Sequence, residues 1–361
     1  MRVRLGDQGP VLRFGLMRVF LFGAGVSAGA GFPLGASLTR ELGVFLDRYR
    51  AHGGPYGPIL EAWDALQRTG VLSLEDDLEL NLSRLDVDWL RLLARKRRGE
   101  TIDPSDPVTL RGAMTKVVGD YFKQIHGRIA RNPGSREYLR QFLERHVRAG
   151  DVILTFNYDC LAELILKEQG RWNLRDGYGV DLGSFYPDLS GLGNSDVVVL
   201  KLHGSLGWMD AWDKATPGFR QGWPGSKHEL LIQRVVLDLL GYPSIEAVDA
   251  AIRRLVFEPL VLPSYLKEVT NYPLAQLWRR AAQALAAAEA VNVVGYSFPS
   301  ADGAARTLML GIQPGGSVNY YHRGTGTRLR EIRHFFGSIG VGFRDAIAPV
   351  EELAGLTSLP L

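Results

Sequence analysis

A glycine-rich turn directly follows the first strongly apolar run of the chain and limits the fold more than any other feature. The segment "VFLFGAGVSAGAGFP" (residues 19–33) places four glycines and three alanines around Ser27. Gly23, Gly25 and Ala28 satisfy the pattern G-x-G-x-x-G/A between a predicted strand and a predicted helix, where backbone amides receive a pyrophosphate. The same turn also contains "GVSAG", the G-x-S-x-G pattern of an esterase nucleophile elbow, with Ser27 as the nucleophile.

The sequence around the turn weakens the two most common interpretations of these patterns. A dinucleotide-dependent dehydrogenase carries an acidic ribose-binding residue after a second strand. Here Asp47 falls at that distance but inside the predicted helix, and "AHGGPYGP" follows in place of a strand. An esterase elbow comes after several strands, whereas this turn follows the first one. The esterase interpretation stays open as a minor alternative.

Further short apolar runs predict an α/β fold. They are "DVILTFNYD" (151–159), "VVVLKLHGS" (197–205), "LVFEPLVLPS" (255–264), "AVNVVGYSF" (290–298) and "SVNYYHRG" (317–324), with helical segments between several of them. Fully apolar strands alternating with helices are typical of a parallel sheet covered on both faces. We therefore predict one domain over 1–361, with a Rossmann-like core at 17–55 and 151–361 and a helical insertion at 56–150.

Composition narrows the classes of protein that the chain can belong to. Lys plus Arg number 42 against 39 Asp plus Glu, so charge gives little support to nucleic-acid binding. A single cysteine, Cys160, excludes an intramolecular disulfide and an all-cysteine zinc site. No apolar run is long enough to cross a membrane, and the N-terminal residues lack the apolar core of a signal peptide. We predict a cytoplasmic protein that does not bind membranes.

Polar residues follow the predicted strands at the point where each strand ends. In open α/β sheets ligands bind outside the carboxyl ends of the strands, so these residues are expected to line one crevice. Asn157 and Asp159 lie two apart after one strand, and His203 precedes a glycine after the next. An imidazole there can accept a proton from water or from a ribose hydroxyl near neutral pH. Asp302 is expected to cap the helix that follows it.

Four motifs in a fixed order resemble a known family. "GAGVSAGAGFP", "TFNYD", "KLHGS" and "GYSFPSAD" are similar to the sirtuin-like NAD-binding fold, and most similar to its divergent bacterial branch, many of whose members act in antiphage defence by destroying NAD. Protein-deacylating sirtuins also carry a phenylalanine-arginine pair after the first motif and four zinc-binding cysteines. This chain has "LGASLT" after Pro33 and one cysteine, so the resemblance implies NAD without a metal and weakens the case for deacylation.

The resemblance also implies roles for individual residues. Asn157 would orient a water or the ribose at the bond being broken, Asp159 would hold the nicotinamide amide, and His203 would complete the catalytic set. Ser297 and Asn319 would contact the adenosine half of NAD. The remaining NAD-binding residues would be Gly23, Ala24, Gly25, Ser27, Gly31, Pro33 and Gly295.

These expectations together predict an NAD glycohydrolase that yields nicotinamide and ADP-ribose and serves antiphage defence. The alternatives are a non-catalytic module that binds NAD or ADP-ribose, an NAD-dependent deacylase or ADP-ribosyl transferase, and the esterase that uses Ser27. Because an unregulated NADase would drain its own cell, we expect activation by assembly. The expected partners are further copies of the chain and a separately encoded ATPase or nucleic-acid sensor. The predicted contact surface is the helical insertion, with Trp63, Trp89 and the basic segment "RKRRG" (95–99).

Overall fold

The structure is a computed structural model that describes most of the chain. The described residues are 17–52, 56–103, 106–180, 182, 187–189, 191–212, 228–242, 255–257, 260–262, 273–299, 302–324 and 326–360. The strands, in chain order, are β1 Arg18–Phe22, β2 Val152–Thr155, β3 Val198–Lys201, β4 Trp208–Trp212, β5 His228–Ile232, β6 Leu255–Phe257, β7 Ala290–Val294, β8 Ser317–His322 and β9 Gly342–Ile347.

The helices alternate with these strands for much of the chain. They are α1 Gly35–His52, α2 Gly57–Arg68, α3 Leu78–Arg97, α4 Thr109–Arg131, α5 Glu137–His146, α6 Leu161–Glu168, α7 Arg234–Leu239, α8 Leu274–Ala287, α9 Gly303–Met309, α10 Gly326–Ser338 and α11 Val350–Leu353. Helices α2 to α5 fall within the stretch predicted as a helical insertion. The last of them packs on the central sheet, since the Phe142 ring lies 6.2 Å from Phe20 and 6.0 Å from Phe22.

A six-stranded, all-parallel sheet forms the centre of the molecule, which confirms the predicted fold class. Its strand order is β3-β2-β1-β7-β8-β9, so the chain runs outward from β1 in one direction and then, from β7, in the other. This is the doubly wound, Rossmann-like order. The strands next to the centre are almost fully buried because helices cover both faces, as their continuous apolar sequences require.

The turn after β1 and the turn after β7 pack backbone against backbone at the switch point of the sheet. The Gly25 amide donates to the Gly295 carbonyl at 2.9 Å. A Cβ atom at position 23 would lie 2.5 Å from Cα of Tyr296, and one at position 25 would lie 2.8 Å from Cα of Gly295. Only glycine permits so close an approach, so Gly23 and Gly25 are required by this packing.

The structure corrects the assignment of one predicted strand and adds to the parallel sheet one strand that was not predicted. The described residues of the segment 255–264 do not join the parallel sheet. Its strand β6 pairs antiparallel with β4 in a separate three-stranded sheet of order β5-β4-β6. The sixth parallel strand is β9, which the sequence analysis did not identify. Residues 342–347 form a half-exposed edge strand and therefore lack the continuous apolar run on which the prediction of buried strands depended.

Candidate functional site

Three polar side chains meet at the carboxyl ends of β1 and β2. The Ser27 hydroxyl donates to Oδ2 of Asp159 at 2.7 Å. The Asn157 amide donates to the Gly23 carbonyl at 3.0 Å and to the Ser27 hydroxyl at 3.2 Å. Oδ1 of Asp159 accepts the Leu161 amide at 3.1 Å and so ties the network to the start of α6. The structure therefore brings together three of the residues that the sequence predicted to line one crevice.

A buried ion pair lies beneath this network. Nζ of Lys201, at the end of β3, is 3.1 Å from Oε1 of Glu163 on α6, and both side chains are 1% exposed. The same ammonium donates to the backbone carbonyl of Asp159. Burial is the largest single effect on the pKa of Lys201 and lowers it, but the interactions with Glu163, Cys160 and Asp159 together outweigh burial, so the net pKa is raised. The charged lysine thus holds the loop after β2 from below.

A narrow cavity separates the Ser27 network from this ion pair. Its lining includes Phe22, Ser27, Asn157, Glu163 and Lys201. It has room for about one water molecule and is too small for a dinucleotide. The polar side chains around it therefore bond mainly to one another in this arrangement.

His126 supports the same loop from helix α4. Its Nε2 accepts the Cys160 amide at 3.0 Å, which requires the imidazole to be neutral at that nitrogen. Burial lowers the pKa of His126 from 6.5 to about 4. The folded protein therefore keeps an uncharged histidine at a pH where the unfolded chain would protonate it.

We expect the stability of the fold to decrease as the pH falls from 6.5 towards 4. In this window the unfolded chain binds more protons at His126 than the folded chain does, so acidification favours unfolding, by up to about 3 kcal/mol for this residue. Urea unfolding at a series of pH values measures the slope. His126→Gln should make the dependence of stability on pH less steep. Part of the dependence should remain, because burial also lowers the pKa of His146. The exposed His334→Gln is the control, and equal slopes in both variants would contradict the assignment.

His203 lies in a second cluster, on the side of the sheet that α8 covers. Its ring is 4.8 Å from that of Phe156, and its backbone carbonyl accepts the Val261 amide at 2.9 Å. Nε2 of His203 is 3.7 Å from Oδ2 of Asp302. The same carboxylate oxygen accepts the Tyr296 hydroxyl at 2.7 Å. The imidazole is therefore held between an aromatic ring and a carboxylate that is itself fixed.

Asp302 has two structural roles at once. Its side chain accepts the Ala305 amide and caps α9, as the sequence predicted. Its position beside His203 does not follow from the sequence, because only the fold brings the loop after β7 to the end of β3. Lys201 and Glu163 were missed as well. A charged residue at the end of an otherwise apolar strand is the signal that could have identified Lys201.

The loop after β7 contains a strained residue next to this cluster. Phe298 has φ of +49°, and no other described residue except glycine has a positive φ. Its side chain is 2% exposed and packs against Tyr296. Strained backbone persists where the surrounding packing imposes it and is frequent near active sites.

The first motif differs from the prediction in how it joins its helix. Two short 3₁₀ turns, Ala24–Val26 and Ala28–Ala30, follow β1, and α1 begins only at Gly35. The motif therefore does not lie at the N-terminus of an α-helix. Gly31 ends the second turn with φ of +96°, and Pro33 is buried next to it. The amides of Val26 and Ser27 donate to backbone carbonyls inside the turn.

The residues predicted to contact adenosine lie in different surroundings. Ser297 is exposed on the loop after β7, directly after Gly295 and Tyr296. Asn319 lies in the middle of β8, where its amide donates to Oδ1 of Asn292 at 3.1 Å, and it is 9% exposed. The structure does not bring Asn319 to the carboxyl end of its strand, because β8 continues to His322.

In the part of the chain that the structure describes, no helix is long and apolar enough to span a membrane. The His, Cys, Asp and Glu side chains of the same part form no group of three or more that is placed to hold a metal ion.

The fold and this site define a doubly wound α/β protein with polar residues at the carboxyl edge of its sheet. No protein-family model matches the chain, and no curated protein matches it. Among solved structures, Sir2 in complex with an inhibitor, 2′-O-acetyl-ADP-ribose and a deacetylated peptide is 13% identical at a TM-score of 0.33, with 94% of this chain and 90% of that chain covered.

A second sirtuin structure, concerned with the basis of sirtuin substrate affinity, gives a similar alignment. It is 15% identical at a TM-score of 0.33 and covers 95% of this chain and 93% of that chain. The Rossmann-like class of this chain follows from its own strand order.

Proposed function

We propose that this protein is an NAD glycohydrolase that cleaves NAD to nicotinamide and ADP-ribose. The proposal is carried by one observation, the meeting of Asn157, Asp159 and Ser27 at the carboxyl ends of β1 and β2. Strand β1 borders the switch point, where doubly wound sheets bind nucleotides, and β2 is its neighbour on the other side. The order of the four sirtuin-like motifs supports the same substrate. The biological role proposed with it is antiphage defence.

The reaction needs few groups from the protein. When the glycosidic bond breaks, its electron pair neutralises the pyridinium nitrogen, and nicotinamide leaves from an oxocarbenium-like ribose. Water then attacks C1′ and releases a proton. In this scheme Asn157 orients the water and the ribose, Asp159 holds the carboxamide of the leaving group, and the imidazole of His203 accepts a proton.

Incubation of the pure protein with NAD, with release of nicotinamide as the signal, tests the proposal. Asn157→Ala removes the amide that would orient the ribose, and we expect the rate to fall roughly 10- to 100-fold. The exposed Asn132→Ala is the matched control and should leave the rate unchanged. Full turnover in Asn157→Ala would rule out this role for the residue.

The rate of the isolated chain should be low. The Asn157 amide and the Asp159 carboxylate are occupied by Gly23 and Ser27, so they must exchange these partners for substrate. We expect assembly with further copies, or with a separate ATPase or nucleic-acid sensor, to stabilise the exchanged state. Light scattering alongside the NAD assay measures this dependence. A high, steady rate from strictly monomeric protein would contradict it.

The geometry disfavours the esterase alternative. The Ser27 hydroxyl donates to Asp159 and accepts from Asn157, and neither partner is a histidine. Ser27 also has an unstrained backbone, with φ of −97° and ψ of −6°, whereas the nucleophile elbow is a sharp, strained turn. A fluorophosphonate should therefore leave Ser27 unlabelled.

The NAD assay also distinguishes the remaining alternatives. NAD binding without nicotinamide release in every assembled state would favour a non-catalytic module. Transfer of an acyl or ADP-ribosyl group would favour a deacylase or an ADP-ribosyl transferase.

A further inference from the structure

Helix α3 carries an apolar stripe on its solvent side. Leu80, Val87 and Leu90 are 39%, 57% and 52% exposed, and Ala94 is exposed one turn further on. Their spacing of seven, three and four residues places them on one face of the helix, as in a coiled-coil seam. We call these four residues the α3 stripe. Among the residues that the structure describes, the core does not use this face, because α3 packs inward through the opposite one, with Leu78, Leu82, Leu85 and Leu92.

The charges around the α3 stripe are distributed unequally along the helix. Four acidic residues lie at or just before its start, and four basic residues lie at its end: Glu75, Asp76, Asp77 and Glu79, and Arg95, Lys96, Arg97 and Arg98. Some of them form exposed ion pairs within the chain, such as that of Arg98 with Glu100. These ion pairs offset only part of the charge at each end, so the two ends of the helix keep opposite net charge.

We propose that the α3 stripe is the docking surface for a second copy of this chain, with the two α3 helices antiparallel. In this arrangement the acidic start of each helix faces the basic end of the other. The two helix dipoles also run in opposite directions, so the positive end of each lies beside the negative end of the other. A parallel pair would place like charges together at both ends. Both copies then use the same surface, and a two-fold axis near Val87 and Leu90 relates them, as an isologous interface requires.

This surface replaces part of the one predicted from the sequence. Trp63 is 3% exposed and packs inside the chain, so it is not available for a contact. Trp89 is half-buried. The basic segment 95–99 remains as one half of a charge-complementary pair. The stripe is about 21 Å long, which is short for a stable interface, so we expect a weak, concentration-dependent dimer.

Sedimentation velocity of the full chain over a range of concentrations tests the proposal and does not depend on any enzymatic activity. The wild-type chain should dimerise reversibly. The double variant Val87→Glu/Leu90→Glu places carboxylates in the seam and should weaken the dimer more than about tenfold. The matched control is Leu310→Glu, which changes an equally exposed leucine on another surface and should leave the dimer intact.

A charge swap distinguishes the antiparallel arrangement from other forms of self-association. Arg97→Glu/Arg98→Glu and Glu75→Lys/Glu79→Lys should each dimerise poorly alone, because each cancels the net charge at one end of α3 and so removes the attraction at both ends of the antiparallel pair. Mixed together, the two variants should form a heterodimer, since the unchanged acidic start of one then faces the unchanged basic end of the other.

Three outcomes would overturn the proposal. The first is a wild-type chain that remains monomeric at every concentration; stripe variants that then unfold at lower urea would mean that another part of the chain covers α3. The second is a dimer that persists in Val87→Glu/Leu90→Glu, and the third is a mixture of the charge-swap variants that does not associate.

Discussion

Lys201→Met is expected to lower the free energy of unfolding by about 3–5 kcal/mol at neutral pH. The substitution keeps most of the side-chain volume but leaves the buried Glu163 without its partner, and it removes the donor to the Asp159 carbonyl. Burial already raises the pKa of Glu163, so its carboxyl group would take up a proton once the lysine is gone. Urea unfolding followed by circular dichroism measures the loss.

Two further variants separate this charge effect from ordinary packing. The double variant Lys201→Met/Glu163→Gln removes both charges and should recover most of the lost stability. Lys116→Met changes a lysine that is 57% exposed and paired with Asp120, and it should cost less than about 1 kcal/mol. A loss in Lys201→Met no greater than in Lys116→Met would mean that the buried pair does not support the loop.

His203→Ala is expected to reduce nicotinamide release by about 10²- to 10⁴-fold, measured in an assembled, active preparation. Asp302→Asn should reduce kcat by roughly tenfold with little change in KM, because the amide cannot orient and stabilise a protonated imidazole as a carboxylate does. The double variant should be no slower than His203→Ala, since the two residues act as one unit.

Asparagine at position 302 distinguishes a loss of kcat caused through His203 from one caused by unfolding of the surrounding structure. Asparagine is as good an N-cap as aspartate and can still accept the Tyr296 hydroxyl, so α9 and the loop after β7 should stay folded. Asp302→Ala is the comparison that loses the cap as well. Equal kcat in Asp302→Asn and wild type would mean that Asp302 caps α9 without positioning His203.

The sequence predicted the features that depend on a few neighbouring residues. Continuous apolar runs predicted the buried strands β1, β2 and β7, because a strand covered on both faces has no polar positions. The glycine pattern identified a turn that needs close backbone approach. What Gly23 and Gly25 approach is the backbone at Gly295 and Tyr296, which the pattern could not show.

The separate sheet of β4, β5 and β6 and the edge strand β9 were missed for a related reason. Apolar character indicates that a segment is buried, but not which sheet it joins. β6 is only three residues long, and a half-exposed edge strand such as β9 lacks the signal altogether.

The sequence by itself determined the fold class, the glycine turn and the polar strand ends that include Asn157, Asp159 and His203, since each depends on local periodicity or residue type. Only the tertiary structure decided their partners. Ser27 meets Asp159, Lys201 meets Glu163, and His203 meets Asp302 because the strand order brings distant segments to one edge of the sheet. A hydrogen bond or an ion pair requires two groups within a few ångströms, and spacing along the chain carries no information about that distance when long insertions separate the two groups.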